Sequence, residues 1–185
     1  NSDELRVGDF VVAIGNPFGL GQTVTSGIIS ALARSGLGII GYEDLIQTDA
    51  SINPGNSGGA LVNLDGKLIG INTAIYSQSG GNIGIGFAIP SNMTKEVMNQ
   101  IIKYGEVRRG YVGAKFQDLD RALIEAFGLS VEKGAVVVSV SKGSPSDQAG
   151  LEAGDVVLSV NGRKINGATD LRNRLGLEQP GNLVF

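Results

Sequence analysis

The sequence predicts a mainly β protein in two parts, a β-barrel followed by a smaller β-rich domain with two helices. Three observations predict it. Over the first 90 or so residues, about six short apolar segments alternate with turns rich in glycine and asparagine, enough strands for one barrel. A single amphipathic helical stretch, Ser91 to Tyr104, then interrupts the pattern. Beyond residue 110, β-branched strands alternate with short helical stretches. The expected division is therefore a barrel domain over 1–105, a short charged linker over 106–110, and a second domain over 111–185. A chain of 185 residues has room for one or two domains at the usual ~100–200 residues each.

In chain order, Val7 to Ile14 is an apolar strand ended by Gly15-Asn16-Pro17, and Thr23 to Leu32 alternates as a second. Leu45 to Thr48 leads into a glycine-rich loop around Ser57, and Ala60 to Val62 leaves it. Asn63-Leu64-Asp65-Gly66 is a hairpin turn before the strand Leu68 to Ile75. The polar segment Ser77 to Asn82 separates that strand from Ile83 to Ile89. The glycines from Gly80 to Gly86 do not match the dinucleotide-binding fingerprint, and no βαβ unit surrounds them. The helix over 91–104 takes Ser91 as its N-cap and Gly105 as its stop, with Met93, Val97, Ile101 and Tyr104 on one face and the methionines in the core. In the second part, Tyr111 to Phe116 is a strand, Leu119 to Phe127 a helix capped by Gly128, and Ala135 to Val140 a strand. Val156 to Val160 follows, then the Asn161-Gly162 turn, a helix over Thr169 to Leu175, and a final strand opening at Leu183-Val184-Phe185.

Composition removes several function classes. Hydrophobic content of 42% with 18% charged residues argues for a folded globular chain rather than disorder. A net charge of −3 gives no electrostatic reason to bind nucleic acid or an anionic membrane, and Lys103, Arg108 and Arg109 read as a solvated face. Without cysteine or histidine the chain has no disulfide and no soft-ligand metal site, so neither a metal nor a cofactor is expected. No apolar run approaches the ~18 residues of an integral membrane segment.

Chemistry concentrates at Asp49 to Leu61, where Ser57 sits in a turn walled by Gly55, Gly58 and Gly59 and is followed at once by an apolar strand. Acyl transfer by serine needs a hydroxyl on a sharp turn. It also needs backbone N–H groups, here those of Gly55 and Ser57 with Asn56 as the third member of the anion-binding turn, aimed where negative charge develops on the attacked carbonyl. Glycine on both sides permits the backbone angles and the close approach of substrate. A bare Gly-x-Ser-Gly is also met in ordinary hairpin turns. The serine needs a base as well, normally an imidazole, and the chain contains no histidine. Lys67 could in principle serve, but it lies across the Asp65-Gly66 turn and nothing else marks it. The simpler expectation is that the base lies outside this sequence.

The segment Asp49 to Ala60 resembles the nucleophile loop of trypsin-like serine proteases, in the Gly-Asn-Ser-Gly-Gly form of the Deg/HtrA family. Ser144 to Gly162, with Ala149-Gly150-Leu151 before Gly154-Asp155 and a strand ending in Asn161-Gly162, resembles the PDZ signature in its permuted bacterial form. The chain thus resembles the second barrel of a trypsin-like protease followed by most of a PDZ domain, of the bacterial periplasmic type of that family. The resemblance implies a periplasmic, ATP-independent serine endopeptidase of misfolded envelope proteins, with a chaperone-like role, forming homotrimers and larger cages. It implies Ser57 as nucleophile, Ile52 and Ile75 in a specificity pocket for small aliphatic residues, and an activation loop over 32–42 with Arg34 as its sensor. Ile75 fits the barrel core equally, and Arg34 also fits a surface position in a hairpin.

For the PDZ part the resemblance places the carboxylate-binding loop at Tyr111-Val112-Gly113-Ala114. Such domains take a peptide's C-terminal carboxylate in a nest of N–H groups and add the peptide to a sheet edge. Leu171 and Leu175 would line the groove and select an apolar C-terminal side chain; core packing is their other reading. A non-catalytic PDZ peptide-binding scaffold is the alternative function, against which stands the intact serine motif.

Overall fold

The computed structural model describes residues 1–39, 43–77 and 80–185. They form two compact units, Asn1–Glu106 and Val107–Phe185.

The first unit is a closed antiparallel barrel of β1 (Phe10–Gly15), β2 (Thr23–Arg34), β3 (Leu45–Thr48), β4 (Ala60–Asn63), β5 (Leu68–Ile75) and β6 (Gly86–Pro90), paired in the order β1-β2-β3-β6-β5-β4 with β4 returning to β1. Alternate residues of each strand point inward, so Val11 and Ala13 of β1, Ile29 of β2, Ile46 of β3, Leu61 of β4 and Ile69 of β5 share one buried core. Closure removes the free edges that an open sheet of this size would expose. The long strand β2 absorbs two register shifts against β3, between Ile29 and Arg34. The first strand starts at Phe10 rather than Val7, because Gly8 takes φ +97 and turns the chain there. The last begins at Gly86 rather than Ile83, after the turn at Gly84 with φ +86.

Helix α1 (Ser91–Tyr104) packs on β5 and β6. Ser91 does not cap it: Pro90 holds the cap position and makes no side-chain bond. The cap comes from the far end of the unit. Ser2 Oγ accepts the Asn92 N–H at 3.1 Å, and Asn1 Oδ1 accepts Asn92 Nδ2 at 2.6 Å. Gly105, at φ +75, stops the helix by donating to the Ile101 carbonyl. Met98 is 49% exposed and Ile101 lies on the same outer face, so only part of the expected core stripe is buried, with Met93 and Val97 half-buried.

The second unit holds a three-stranded sheet, β7 (Ala114–Asp118), β8 (Ala135–Val140) and β9 (Val156–Val157), with β8 central and β7 at an edge. Between them run α2 (Arg121–Phe127), capped by Asp120 and Gly128, and the short α3 (Pro145–Gln148), capped by Ser144. The expected strand over 156–160 is split at Leu158 into β9 and β10 (Ser159–Val160). The second half turns away to pair with β11 (Arg163–Lys164) through Asn161 (φ +50) and Gly162 (φ +77). Helix α4 (Ala168–Leu177) buries Leu171 and Leu175 against Ala135, Val160 and Ile165. Its first N–H, on Ala168, donates to Asp118 Oδ1 at 2.7 Å, which fastens α4 to the end of β7.

Two expectations fail here. Tyr111 to Gly113 are loop, with Gly113 at φ +75, and the strand begins at Ala114. Leu183 to Phe185 form no strand; Phe185 is held at Asn161, its carbonyl accepting the Asn161 N–H and its N–H donating to Asn161 Oδ1.

Candidate active site

The loop from Asp49 to Gly59 is held from three sides. On the β2 side, Asp49 Oδ1 accepts the Ile28 N–H at 2.7 Å, Thr48 Oγ1 donates to the Ile28 carbonyl at 2.8 Å, and Thr25 Oγ1 donates to the Ser51 carbonyl at 2.9 Å. Next to β1, the Asn16–Gly21 segment docks beneath the turn: Phe18 N–H donates to Pro54 O at 2.9 Å, and Asn16 N–H to Gly55 O at 3.4 Å. On the β5 side, Asn72 exchanges main-chain bonds with the loop, accepting from Gly58 N–H at 2.8 Å and donating to Gly59 O at 2.9 Å.

Within this frame the glycines have specific reasons. Gly55 takes φ +103, and a Cβ there would run into the Asn16 carbonyl oxygen. A Cβ on Gly59 would run into the Ile14 carbonyl oxygen. The Asn56 N–H donates to Asn53 O at 2.9 Å, so the Asn56 amide is used by the turn itself and is not a free donor, contrary to its expected place in the anion-binding trio. Its side chain is buried and reaches back to the Ser51 carbonyl at 3.3 Å. Among the described residues, the N–H groups of Gly55 and Ser57 donate to nothing. Ser57 is exposed, and its Oγ donates to the Thr73 carbonyl at 2.8 Å. The Thr73 carbonyl is available because β5 slips register against β6 between Asn72 and Ala74. Lys67 is elsewhere, paired with Asp65 at 3.3 Å across the hairpin turn.

Ile52 and Ile75 come together. Ile52 is 1% exposed within the barrel core, and Ile75 packs partly buried against the same cluster. Gly86, paired with Ile75, faces the Ile52 side chain; a Cβ there would sit 3.0 Å from Ile52 Cδ1. Arg34 ends β2, exposed, with its Nε donating to Gln47 Oε1 at 2.8 Å. Of the expected activation loop over 32–42, residues 40–42 lie outside the described residues. The part before them is tied down by Glu43, a buried carboxylate that accepts the N–H groups of Leu37 and Ile39 at 2.5 Å each.

In the second unit, Tyr111, Val112, Phe116, Leu171 and Leu175 line one cavity of about 540 Å³. Leu171 and Leu175 thus serve the core and the cavity wall together. Gly113 and Ala114 do not line it. Gly113 is pressed against Ser144, whose Cβ leaves no room for a side chain at 113, and its carbonyl accepts the Ser141 N–H at 2.8 Å. Ala114 opens β7 opposite Val140. The N–H groups of Val112 and Gly113 donate to nothing among the described residues, and they stand at the head of the exposed edge of β7.

Sequence reasoning missed Asn16, Asn72, Thr73, Asn82 and Glu43. Each is a single residue without a local motif; the first four meet the nucleophile loop through strand pairing or turn closure, and Glu43 holds the segment after β2.

A closed barrel presenting an exposed serine in a turn with two amides unpaired among the described residues, followed by a small domain with a groove beside an edge strand, defines the class: a trypsin-like protease barrel joined to a PDZ domain. Family models agree, with a trypsin-like peptidase domain matching residues 1–71 and a PDZ domain matching residues 110–184. The chain is 56% identical over 184 residues to the periplasmic pH-dependent serine endoprotease DegQ of Escherichia coli (strain K12), covering 100% of the chain and 40% of that protein. It is 56% identical over 182 residues to the periplasmic serine endoprotease DegP of the same strain, covering 98% of the chain and 38% of that protein. The solved structure of the HtrA-type protease AlgW with tripeptide matches with a TM-score of 0.79 at 50% identity, over 100% of this chain and 61% of that one. Over its whole length the chain is similar to HtrA-type serine proteases, and it carries a trypsin-like peptidase segment and a PDZ domain. It spans about 40% of the length of the curated relatives it matches.

Proposed function

We propose that this chain provides the nucleophile barrel and a substrate-binding PDZ domain of a periplasmic serine endopeptidase acting on unfolded envelope proteins. Ser57 attacks the scissile carbonyl, and the N–H groups of Gly55 and Ser57 stabilise the oxyanion. The observation that carries the reading is the exposed Ser57 hydroxyl set between two amides that have no partner within the described residues. Buried amides without acceptors are costly, whereas amides kept open at a reactive surface are what an oxyanion requires. The base belongs to a part of the protein outside this sequence, since no histidine is present to take the Ser57 proton. In this chain the Ser57 hydroxyl donates to the Thr73 carbonyl, which holds it in one orientation without activating it.

We assign the choice of a small aliphatic side chain before the cut to Ile52 and Ile75, which pack together beside Gly86. The groove beside β7 takes the apolar C-terminal residue of a peptide, with the Val112 and Gly113 amides on its carboxylate. Similarity to DegP and DegQ supports the periplasmic setting, and we extend it to a chaperone-like role and to assembly as trimers or larger cages. In the full-length protein, Ser57→Ala is expected to abolish cleavage of an unfolded protein while far-UV circular dichroism stays unchanged. Undiminished cleavage by that variant overturns the reading.

A further inference from the structure

Asn82 lies in the loop that joins β5 to β6, and two of its three hydrogen bonds connect that loop to the nucleophile turn. Its main-chain N–H donates to Asn53 Oδ1 at 3.0 Å, and its side-chain Nδ2 donates to the Ile52 carbonyl at 3.0 Å. Its Oδ1 accepts the Gly84 N–H at 2.6 Å, which folds the loop back on itself. Asn53 is the residue whose carbonyl accepts the Asn56 N–H and closes the turn carrying Gly55. A continuous path of bonds therefore runs from Asn82 through Asn53 and Asn56 to the two open amides. Glycines at 80, 81 and 84 give the β5–β6 loop little conformational preference of its own. Packing fixes the Ile52 side chain against Gly86, but among the described residues only Asn82 holds the Ile52 carbonyl.

We propose that Asn82 is a positioning residue: by holding Ile52 and Asn53 it fixes the orientation of the Gly55 and Ser57 amides and so sets turnover rather than substrate affinity. The proposal rests on the reading of Ser57 as nucleophile. Asn82 touches neither substrate nor the reacting atoms, and its effect is carried through the turn. Misplacement of reacting groups by about 1 Å can cost on the order of 10²-fold in rate, so loss of the tie should be felt at the serine.

The test is made in the full-length protein with a fluorogenic peptide. Asn82→Ala removes both side-chain bonds. Asn82→Asp keeps the acceptor for Gly84 but loses the donor to Ile52 O, so it separates the tie from the loop's own turn. Both variants should lower kcat by roughly 10- to 10²-fold with a smaller change in KM, at unchanged melting temperature. An Asp variant with wild-type kcat, or a change confined to KM, overturns the proposal. Should Asn82→Ala fail to fold, the Asp variant carries the test. The cycle with Asn53→Ala adds a second criterion. Coupled residues predict a double variant no slower than the slower single one, and independent, multiplicative losses overturn the proposal. Failure of the underlying reading looks different, because then Ser57→Ala would still cleave.

Discussion

Gly55 shows what one residue contributes to this site. Its φ of +103 is a left-handed conformation suited to glycine, its N–H donates to nothing among the described residues, and its missing side chain lets the Asn16–Gly21 segment close beneath the turn. Alanine at 55 meets both obstacles, backbone strain and the Asn16 carbonyl, and the turn must rotate to relieve them. Gly55→Ala is therefore expected to reduce kcat by ~10²–10³, the usual cost of one oxyanion donor, with KM nearly constant. Steady-state cleavage of a fluorogenic peptide by the full-length protein measures it; a variant within twofold of wild type would show that the Gly55 amide does not bind the oxyanion. The turn from Gly55 to Gly58 was legible because its geometry is local and the spacing of its glycines along the chain is the signal. Asn72 was not. Its Nδ2 bonds the Ile14 carbonyl, 58 residues away, and the Ala60 carbonyl, and both contacts exist only once β1, β4 and β5 are paired. A lone asparagine in a strand pattern reads as a weak strand former, and nothing in its neighbours says otherwise.

At the scale of elements, sequence rules found the helices and most strands but misplaced what tertiary contacts decide. Pro90-Ser91 has the composition of a helix start, yet the helix takes its cap from Ser2. The N-terminal segment and α1 are thus one structural piece, joined across 90 residues of chain. Ser2→Ala should destabilise the first unit by about 1 kcal/mol, the ordinary worth of an N-cap side chain, whereas Ser91→Ala should change little. Urea denaturation of both variants measures the difference, and equal midpoints would remove Ser2 from the cap. In the second unit the same lesson applies to Tyr111–Gly113. Their apolar alternation suggests strand, but Gly113 at φ +75 against Ser144 breaks it and turns two amides toward the edge of β7. Those amides give the groove its expected preference for a free carboxylate. A peptide with an apolar C-terminal residue should bind at least ~10-fold more tightly as the acid than as the amide, since each charge-assisted hydrogen bond contributes about twice a neutral one. Fluorescence titration with both forms decides it, and equal affinities would count against this groove.

For the whole molecule, the proposed capture of a peptide by one unit poses a testable coupling to the proposed chemistry of the other. The segment after β2 is a candidate for the responsive element. Its glycines at 36 and 38, at φ +74 and +71, hold conformations with no packing against them. Its order near Leu37 and Ile39 depends instead on the Glu43 carboxylate. Arg34 stands at its base, joined to Gln47 by one exposed hydrogen bond that a stronger acceptor can replace. Ligand binding shifts such a segment only by as much as it favours one arrangement over the other, typically ~1–3 kcal/mol, or about 5–150-fold in the equilibrium. If Arg34 reports the occupied groove, Arg34→Ala in the full-length protein should lose most of the stimulation of cleavage by a groove-binding peptide. Its affinity for that peptide should stay within twofold of wild type, because Arg34 is not part of the groove. Cleavage rates across a peptide titration separate the two quantities. Full stimulation in the variant would exclude Arg34 as the sensor and leave the Glu43 staple as the next residue to substitute.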